Sequence, residues 1–213
     1  MSRLPPHDCS LCPRLVTFRD QVADEYPSYH NAPVRRWGAA DAPILIVGLA
    51  PGLHGAARTG RPFTGDASGD LLFKSLLEVG LATSETADGA RLCDVAITNV
   101  VKCLPPQNQV KASEVNACGV FLEQELARYQ SQRAKRRRAV VALGGVAFNA
   151  LLRQFSCTIS AHRFSQGTRV QLSETCALFA SFHPSRLNAN TGRIDQPRLS
   201  AVLRDAKTWC ELS

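Results

Sequence analysis

The chain has 213 residues, of which 45% are hydrophobic and 20% are charged. That composition excludes an intrinsically disordered chain, and no stretch approaches the roughly 18 consecutive apolar residues of a membrane helix. Lysine and arginine total 25 against 18 acidic residues, a net charge of +7, which favours a polyanionic partner, nucleic acid first.

The N-terminal residues are polar and include prolines, without the apolar core of a secretory signal. We therefore expect a cytoplasmic protein with no membrane segment. The length suits one globular domain over residues 1–213, which we expect to be monomeric. Its first 40 residues form an arm that carries Cys9 and Cys12.

Four short apolar runs predict strands, each followed by a Gly, Pro or Asn break, at residues 44–49, 95–101, 139–143 and 177–182. Runs this continuous suit strands that are covered on both faces, as in a parallel sheet. Helical patterns alternate with them, at residues 68–79, after an expected N-cap at Ser113, at 145–155 and from Asp195 onward. The alternation predicts an α/β fold, a three-layer α/β/α sandwich with a four-stranded parallel sheet. A basic run at 133–138 is expected to be a solvated helix end.

Ligands of such sheets bind beyond the carboxyl ends of the strands. The loop after the first predicted strand, residues 48–69, is rich in glycine, which allows the backbone to approach a ligand closely. It has neither the closing Lys-Ser or Lys-Thr of a phosphate loop nor a G-x-G-x-x-G motif, so it does not predict nucleotide binding. Phe63 lies within this loop, where its ring either stacks on a flat ligand or anchors the loop to the core.

Eight cysteines in a chain of this size, with no export signal, favour metal binding by some of them. The C-x2-C pair Cys9 and Cys12 is half of a metal site. Cys103, after the second strand, and Cys118, in the next helix, can complete it. The spacing leaves both zinc and an iron–sulfur cluster open.

Three separated motifs carry a family resemblance, and they read GLAPGLHG with RTGRPFTGDASG, then TNVVKCLPPQN, then HPSRLNANTGR. With them the chain resembles the uracil-DNA glycosylase superfamily, and within it the iron–sulfur family-5 branch. The resemblance implies a [4Fe-4S] cluster held by Cys9, Cys12, Cys103 and Cys118. It also implies a monofunctional enzyme of base excision repair that removes uracil, and other deaminated bases such as hypoxanthine, and leaves an abasic site.

The substrate implied is double-stranded DNA, and single-stranded DNA as a further possibility, with the target base swung out of the stack. Phe63 would stack on the base and Asn99 would read its pairing edge, in a pocket that includes Gly48, Ala50 and His54. His183 would donate a hydrogen bond to the departing base. Asp66 would orient water or steady the sugar cation; alternatively it caps the following helix, and both roles are compatible.

Basic and polar residues around this pocket are candidate DNA contacts. Arg58, Arg61 and Lys102 are expected at its mouth, where they would contact phosphates. The polar loop 185–193 would enter the minor groove, with Leu187 as a wedge and Ser185, Arg186 and Arg193 beside it.

Two alternatives stay open on the sequence. One is a family-4-like enzyme confined to uracil. Leu49 argues against this alternative, because the family-4 branch has Glu at that position. The other is a non-catalytic iron–sulfur or zinc module that binds nucleic acid, which would leave Phe63, Asn99 and His183 unexplained.

Overall fold

The computed structural model describes residues 4–131 and 136–212. Its strands are β1 (Trp37–Gly38), β2 (Ile44–Gly48), β3 (Val95–Asn99), β4 (Arg138–Leu143), β5 (Arg169–Gln171) and β6 (Cys176–Ser181). Its helices are α1 (Pro13–Glu25), α2 (Ala56–Thr59), α3 (Ala67–Glu78), α4 (Ala112–Gln130), α5 (Gly145–Gln154), α6 (Arg186–Asn190) and α7 (Gln196–Trp209). Short 3₁₀ turns lie at Pro106–Asn108 and Ile159–Ala161.

All four predicted strands are present, and they form the parallel centre of one sheet in the order β3-β2-β4-β6. The expected count of four strands was too low, since the described part of the chain forms a sheet of six. The strands β1 and β5 pair antiparallel at its two edges. Both are two or three residues long, too short to give a hydrophobic period in the sequence.

Helices cover both faces of this sheet, because alternate residues of each buried strand point to opposite sides. On one face Leu45 and Val47 of β2 pack with α4 and α5. On the other face Ile44 and Ile46 pack with α3 and α7. The fold is therefore the three-layer α/β arrangement that the alternating pattern predicts.

Two local predictions need correction. Ser113 is not the N-cap of α4, which begins at Ala112 after Lys111. The carboxylate of Glu114 accepts the main-chain N–H of Lys111 at 2.8 Å and also binds Arg14 of α1, so a tertiary contact decides where the helix starts. Segment 185–193 is not a loop throughout, because it contains α6.

The N-terminal arm contains α1 and β1. Leu15 and Val22 of α1 are buried. In the basic run, Arg133 and Lys135 lie outside the described residues. Among the helices that the structure describes, none has the length and apolarity to span a bilayer.

Candidate active site

A cavity of about 510 Å³ opens at the carboxyl edge of the parallel strands. This is the edge at which an open α/β sheet exposes the loops that follow its strands. Its walls come from the loops after β2, β3 and β6 and from the start of α3. They include Leu49, Ala50, Pro51, His54, Phe63, Asp66, Ser68, Asn99, Pro105, Asn108, His183 and Ser185.

Phe63 forms one wall of the cavity, with only 7% of its surface exposed. Its backbone has φ of 57°, a left-handed conformation that costs a bulky residue about 1–3 kcal/mol. The neighbouring Thr64 hydroxyl bonds the carbonyl of Arg61 at 2.9 Å and also the hydroxyl of Thr59. The loop is thus held so that the Phe63 ring faces the imidazole of His183, with 5.6 Å between ring centroids.

Asn99, the last residue of β3, points into the same cavity. It is 2% exposed, and its Oδ1 is buried without a hydrogen-bond partner among the residues that the structure describes. A buried unpaired amide oxygen costs roughly 1–3 kcal/mol, so its presence in a cavity indicates a ligand donor.

Gly48 lies behind these side chains and is not among the residues that line the cavity. A Cβ atom at this position would lie 2.5 Å from Oδ1 of Asn99 and 2.6 Å from the Phe63 ring. Gly48 therefore lets Phe63 and Asn99 approach each other across the end of β2.

His183 follows β6 and is half-buried at the cavity wall. Burial lowers the pKa of its imidazole from 6.5, and the carboxylate of Asp66 opposes part of that decrease. The imidazole is consequently neutral at pH 7, with one N–H to donate.

Asp66 is the N-cap of α3, and its Oδ1 accepts the main-chain N–H groups of Ser68 and Gly69, both at 3.0 Å. The side chain also lines the cavity. Its second oxygen, Oδ2, lies against Gly55, where a Cβ atom would be 2.3 Å away. The cap uses one oxygen, which leaves the other for a second task.

Leu49 and Ala50 line the cavity with apolar groups. His54 reaches the exposed rim, where its Nδ1 is 2.9 Å from the hydroxyl of Tyr29. Tyr29 stacks on Tyr26, with 4.7 Å between ring centroids.

The three cations expected at the cavity mouth occupy different places. Arg58 is exposed and donates to the carbonyl of His54 at 2.8 Å. Arg61 lies over the ring of Trp37, beside Asp88, and does not line the cavity. The expectation for Lys102 was wrong: it is 1% exposed and is paired with Glu125.

The residues expected in the minor groove surround α6. Ser185 caps this helix and lines the cavity, whereas Arg186, Leu187 and Arg193 lie outside the cavity wall. Leu187 is 73% exposed, a high fraction for a large apolar side chain.

Three features of this region were not identified from the sequence. Pro105 and Asn108, in the loop after β3, line the cavity, and Asn108 has φ of 57°. The Pro-Pro pair before Asn108 predicts a turn, but it does not predict that the turn faces the cavity. Tyr29 reaches His54 through tertiary packing, which no local pattern reveals.

The four cysteines expected as ligands gather at one place beside the N-terminal arm. Cys9, Cys12, Cys103 and Cys118 all line the same narrow cavity between α1, the loop after β3 and α4. The rest of its lining is mostly apolar and includes Leu11, Leu15 and Phe121. Four thiols from three segments thus converge at one site, where Cys118 is buried and the other three are half-buried.

Burial raises the pKa of the Cys103 thiol to about 12 and that of Cys118 to about 11. Free thiols there are protonated at neutral pH, so a cationic centre is needed to hold them as thiolates. This donor set suits an iron–sulfur cluster. Among residues 4–131 and 136–212, no three His, Cys, Asp or Glu side chains are arranged to bind a single metal ion.

The described residues form an open α/β sheet with a cavity at its carboxyl edge, lined by the ring of Phe63, the amide of Asn99 and the imidazole of His183. The family model of the uracil DNA glycosylase superfamily matches residues 35–207. The chain belongs to this superfamily.

Several relatives that match nearly the whole chain are named type-5 uracil-DNA glycosylases. The relative from Pyrobaculum aerophilum is 44% identical over 93% of this chain and 88% of its own length. The Thermus thermophilus relative is 42% identical over 93% and 92%. The Mycobacterium leprae relative is 41% identical over 93% and 90%.

Proposed function

We propose that this chain is a DNA glycosylase that hydrolyses the bond between uracil and deoxyribose and leaves an abasic site. The observation that carries the proposal is the buried, unpaired Oδ1 of Asn99 in a cavity flanked by Phe63 and His183. Membership of the superfamily and the names of the type-5 relatives support it.

The base is read along its pairing edge. The amide of Asn99 offers an acceptor, Oδ1, for the N3–H of uracil and a donor, Nδ2, for O4. The ring of Phe63 provides a flat surface against which the base stacks. Because the cavity is at the protein surface, the nucleotide leaves the DNA stack to enter it, as base-modifying enzymes require.

His183 stabilises the departing base. The N-glycosidic bond breaks heterolytically, the electron pair leaves with uracil, and negative charge gathers on its ring oxygens. A neutral imidazole N–H at the cavity wall donates a hydrogen bond to the O2 atom as this charge develops. A water molecule adds hydroxide to C1′ of the sugar, and its proton neutralises the base.

Asp66 acts on the sugar side through Oδ2, the oxygen that the helix cap leaves unused. Its negative charge stabilises the positive charge on the sugar, and Oδ2 can accept a proton of the attacking water. Leu49 and Ala50 carry no group able to act as a base, so Asp66 is the carboxylate that serves this reaction.

The same cavity accommodates larger deaminated bases such as hypoxanthine. Its volume is about 510 Å³, and the apolar Leu49 and Ala50 leave room beside the Asn99 amide.

Double-stranded DNA is the substrate, bound by a monomer with a net charge of +7. Leu187 fills the gap that the extruded nucleotide leaves, with Arg58, Arg186 and Arg193 near the phosphates.

Cys9, Cys12, Cys103 and Cys118 would hold a [4Fe-4S] cluster, which would supply a cross-link between the arm, the loop after β3 and α4. In this proposal its part is structural, because the base cavity has its own set of lining residues.

A strand-scission assay tests the function. The protein is incubated with duplexes that contain a single uracil, hypoxanthine or thymine, and alkali then cuts any abasic site. We expect scission at uracil and hypoxanthine, and loss of at least about 100-fold in rate for His183→Ala. Ser200→Ala is the matched control. Ser200 is buried on α7, which packs on the face of the sheet opposite to α4. No scission at uracil, in a protein that contains zinc instead of iron, would favour the non-catalytic module.

A further inference from the structure

We propose that Lys102 and Glu125 are positioning residues for base recognition, and that they act by holding the main chain of Asn99. This inference rests on the proposed role of Asn99 as the residue that reads the base. Neither side chain lines the cavity that receives it.

The ammonium group of Lys102 uses all of its three protons. It donates to Oγ1 of Thr98 at 2.6 Å, to the carbonyl of Asn99 at 2.8 Å and to Oε2 of Glu125 at 2.7 Å. The hydroxyl of Thr98 donates to the same carboxylate oxygen at 2.9 Å. This network joins α4 to the last two residues of β3.

The network is buried, with 1% of the Lys102 side chain and 7% of the Glu125 side chain exposed. Burying two charges costs desolvation energy that their attraction does not reliably recover, and an apolar pair commonly stabilises a core as well or better. Packing alone therefore does not explain a charged pair here. The bond to the Asn99 carbonyl gives the pair a specific task.

The end of β3 needs such support. The edge strand β1 pairs only with Ala96 and Ile97, so it does not extend to Asn99. On the other side of β3, Val100 donates to the carbonyl of Gly48 at 2.9 Å. The Lys102 ammonium thus supplies the bond on the unsupported side of the strand end.

Within residues 4–131 and 136–212, no group forms a hydrogen bond with Oδ1 of Asn99. The position of the Asn99 side chain depends on its main chain and on contact with Gly48 and the Phe63 ring. A shift of the Asn99 carbonyl therefore moves the amide that reads the base. Displacements of about 1 Å in such groups can cost about 100-fold in rate.

The main chain of Lys102 is fixed independently of its side chain. Its N–H donates to Sγ of Cys118 at 3.3 Å, and its carbonyl accepts from the N–H of Val34 at 2.7 Å. A substitution at the side chain consequently removes the bond to Asn99 and keeps the contact with the cysteine site.

The test replaces the pair by apolar residues of similar size in the full chain, Lys102→Met with Glu125→Leu, which leaves no unpaired buried charge. We expect a folded protein with unchanged iron content and a single-turnover rate on a uracil duplex at least about tenfold lower. Ser200→Ala, which removes a buried hydroxyl on the other face of the sheet, should leave the rate unchanged.

A double-mutant cycle with Asn99→Ala separates positioning from general structure. If the pair acts through Asn99, its replacement has no further effect on the rate in the Asn99→Ala background. Equal fold losses in the two backgrounds would overturn the inference while leaving the function of Asn99 intact. An unchanged rate for Asn99→Ala alone would overturn the base-reading role, and this inference with it.

If the apolar pair does not fold, Thr98→Val takes its place in the cycle. It removes one acceptor of the Lys102 ammonium with almost no change in volume. We expect a smaller rate loss that again disappears in the Asn99→Ala background. No loss, or an equal loss in both backgrounds, would count against the inference.

Discussion

Asp66 caps α3 in the structure and acts on the sugar in the proposed function, and substitution can separate these two roles. Its Oδ1 caps α3, while Oδ2 is directed toward the 52–55 loop at the cavity. Asparagine caps helices about as well as aspartate but carries no charge. We predict that Asp66→Asn keeps the thermal stability and loses activity, because only the charge near the sugar is removed.

The companion variant Asp66→Ala is expected to lose both, with about 1 kcal/mol of stability removed along with the cap. Thermal unfolding and single-turnover rates on the same preparations check the pair. Full activity in Asp66→Asn would mean that the carboxylate is a helix cap alone.

His183 determines the expected pH dependence of the reaction. Because burial lowers its pKa from 6.5, the imidazole is neutral in the folded protein at every pH above that value. We predict that the titration of His183 does not change the single-turnover rate on uracil between pH 6.5 and 8.

The sign of the stability change follows from the same pKa. The folded state binds this proton less readily than the unfolded state, so stability is lost as pH falls below 6.5 toward the folded pKa. A His183→Gln variant should show less of this acid destabilisation in urea unfolding. A wild-type rate that rises as His183 becomes protonated would contradict the neutral donor.

At the scale of elements, the sequence was most informative where burial is continuous. The four central strands and the helices α3, α5 and α7 follow from apolar runs and caps. The edge strands were missed because pairing with a neighbour, and not their own pattern, makes them strands. The start of α4 was misplaced because Glu114 and Arg14, far apart in the chain, meet there.

The helix α6 carries a prediction about DNA. Leu187 is 73% exposed on it, so truncation removes little buried area. We predict that Leu187→Ala changes stability by less than about 0.5 kcal/mol and lowers the rate on duplex uracil more than on single-stranded uracil. The difference arises because only a duplex has a gap to fill.

Leu77→Ala, at an exposed position in the last turn of α3, is the matched control and should affect neither substrate. Equal loss of rate on both substrates would show that Leu187 contributes to general binding and not to base extrusion.

At the scale of the whole molecule, Phe63, Asn99, Asp66 and His183 come from separate sequence motifs and line one cavity. This convergence was predicted from the sequence. The surroundings of these residues could not be predicted. Lys102 appears in a polar motif beside a loop, and its counter-ion lies on α4. The burial of this lysine results from the packing of α4 on β3, which the sequence does not show. The positive charge of Lys102 alone therefore led to the wrong prediction of a DNA contact.

The cysteine site ties distant parts of the chain together, and this gives a prediction for the molecule as a whole. Cys9 and Cys12 precede α1, whereas Cys103 lies in the loop after β3 and Cys118 lies in α4. A cross-link that closes a loop of about 100 residues is worth about 4 to 5 kcal/mol in the chain-entropy estimate. We predict that Cys9→Ser with Cys12→Ser abolishes bound iron and acid-labile sulfide, lowers the unfolding temperature and exposes α1 to proteolysis.

Cys157→Ser is the matched control, because this half-buried cysteine lies outside the cavity of the four thiols. Its iron content and its resistance to protease should equal those of the unaltered protein. If the double variant keeps its iron and its sulfide, the arm does not supply ligands, and the convergence of its two thiols on Cys103 and Cys118 is packing alone. If it loses iron but keeps the protected α1, the buried Leu15 and Val22 suffice to hold the arm, and the cluster is not its anchor.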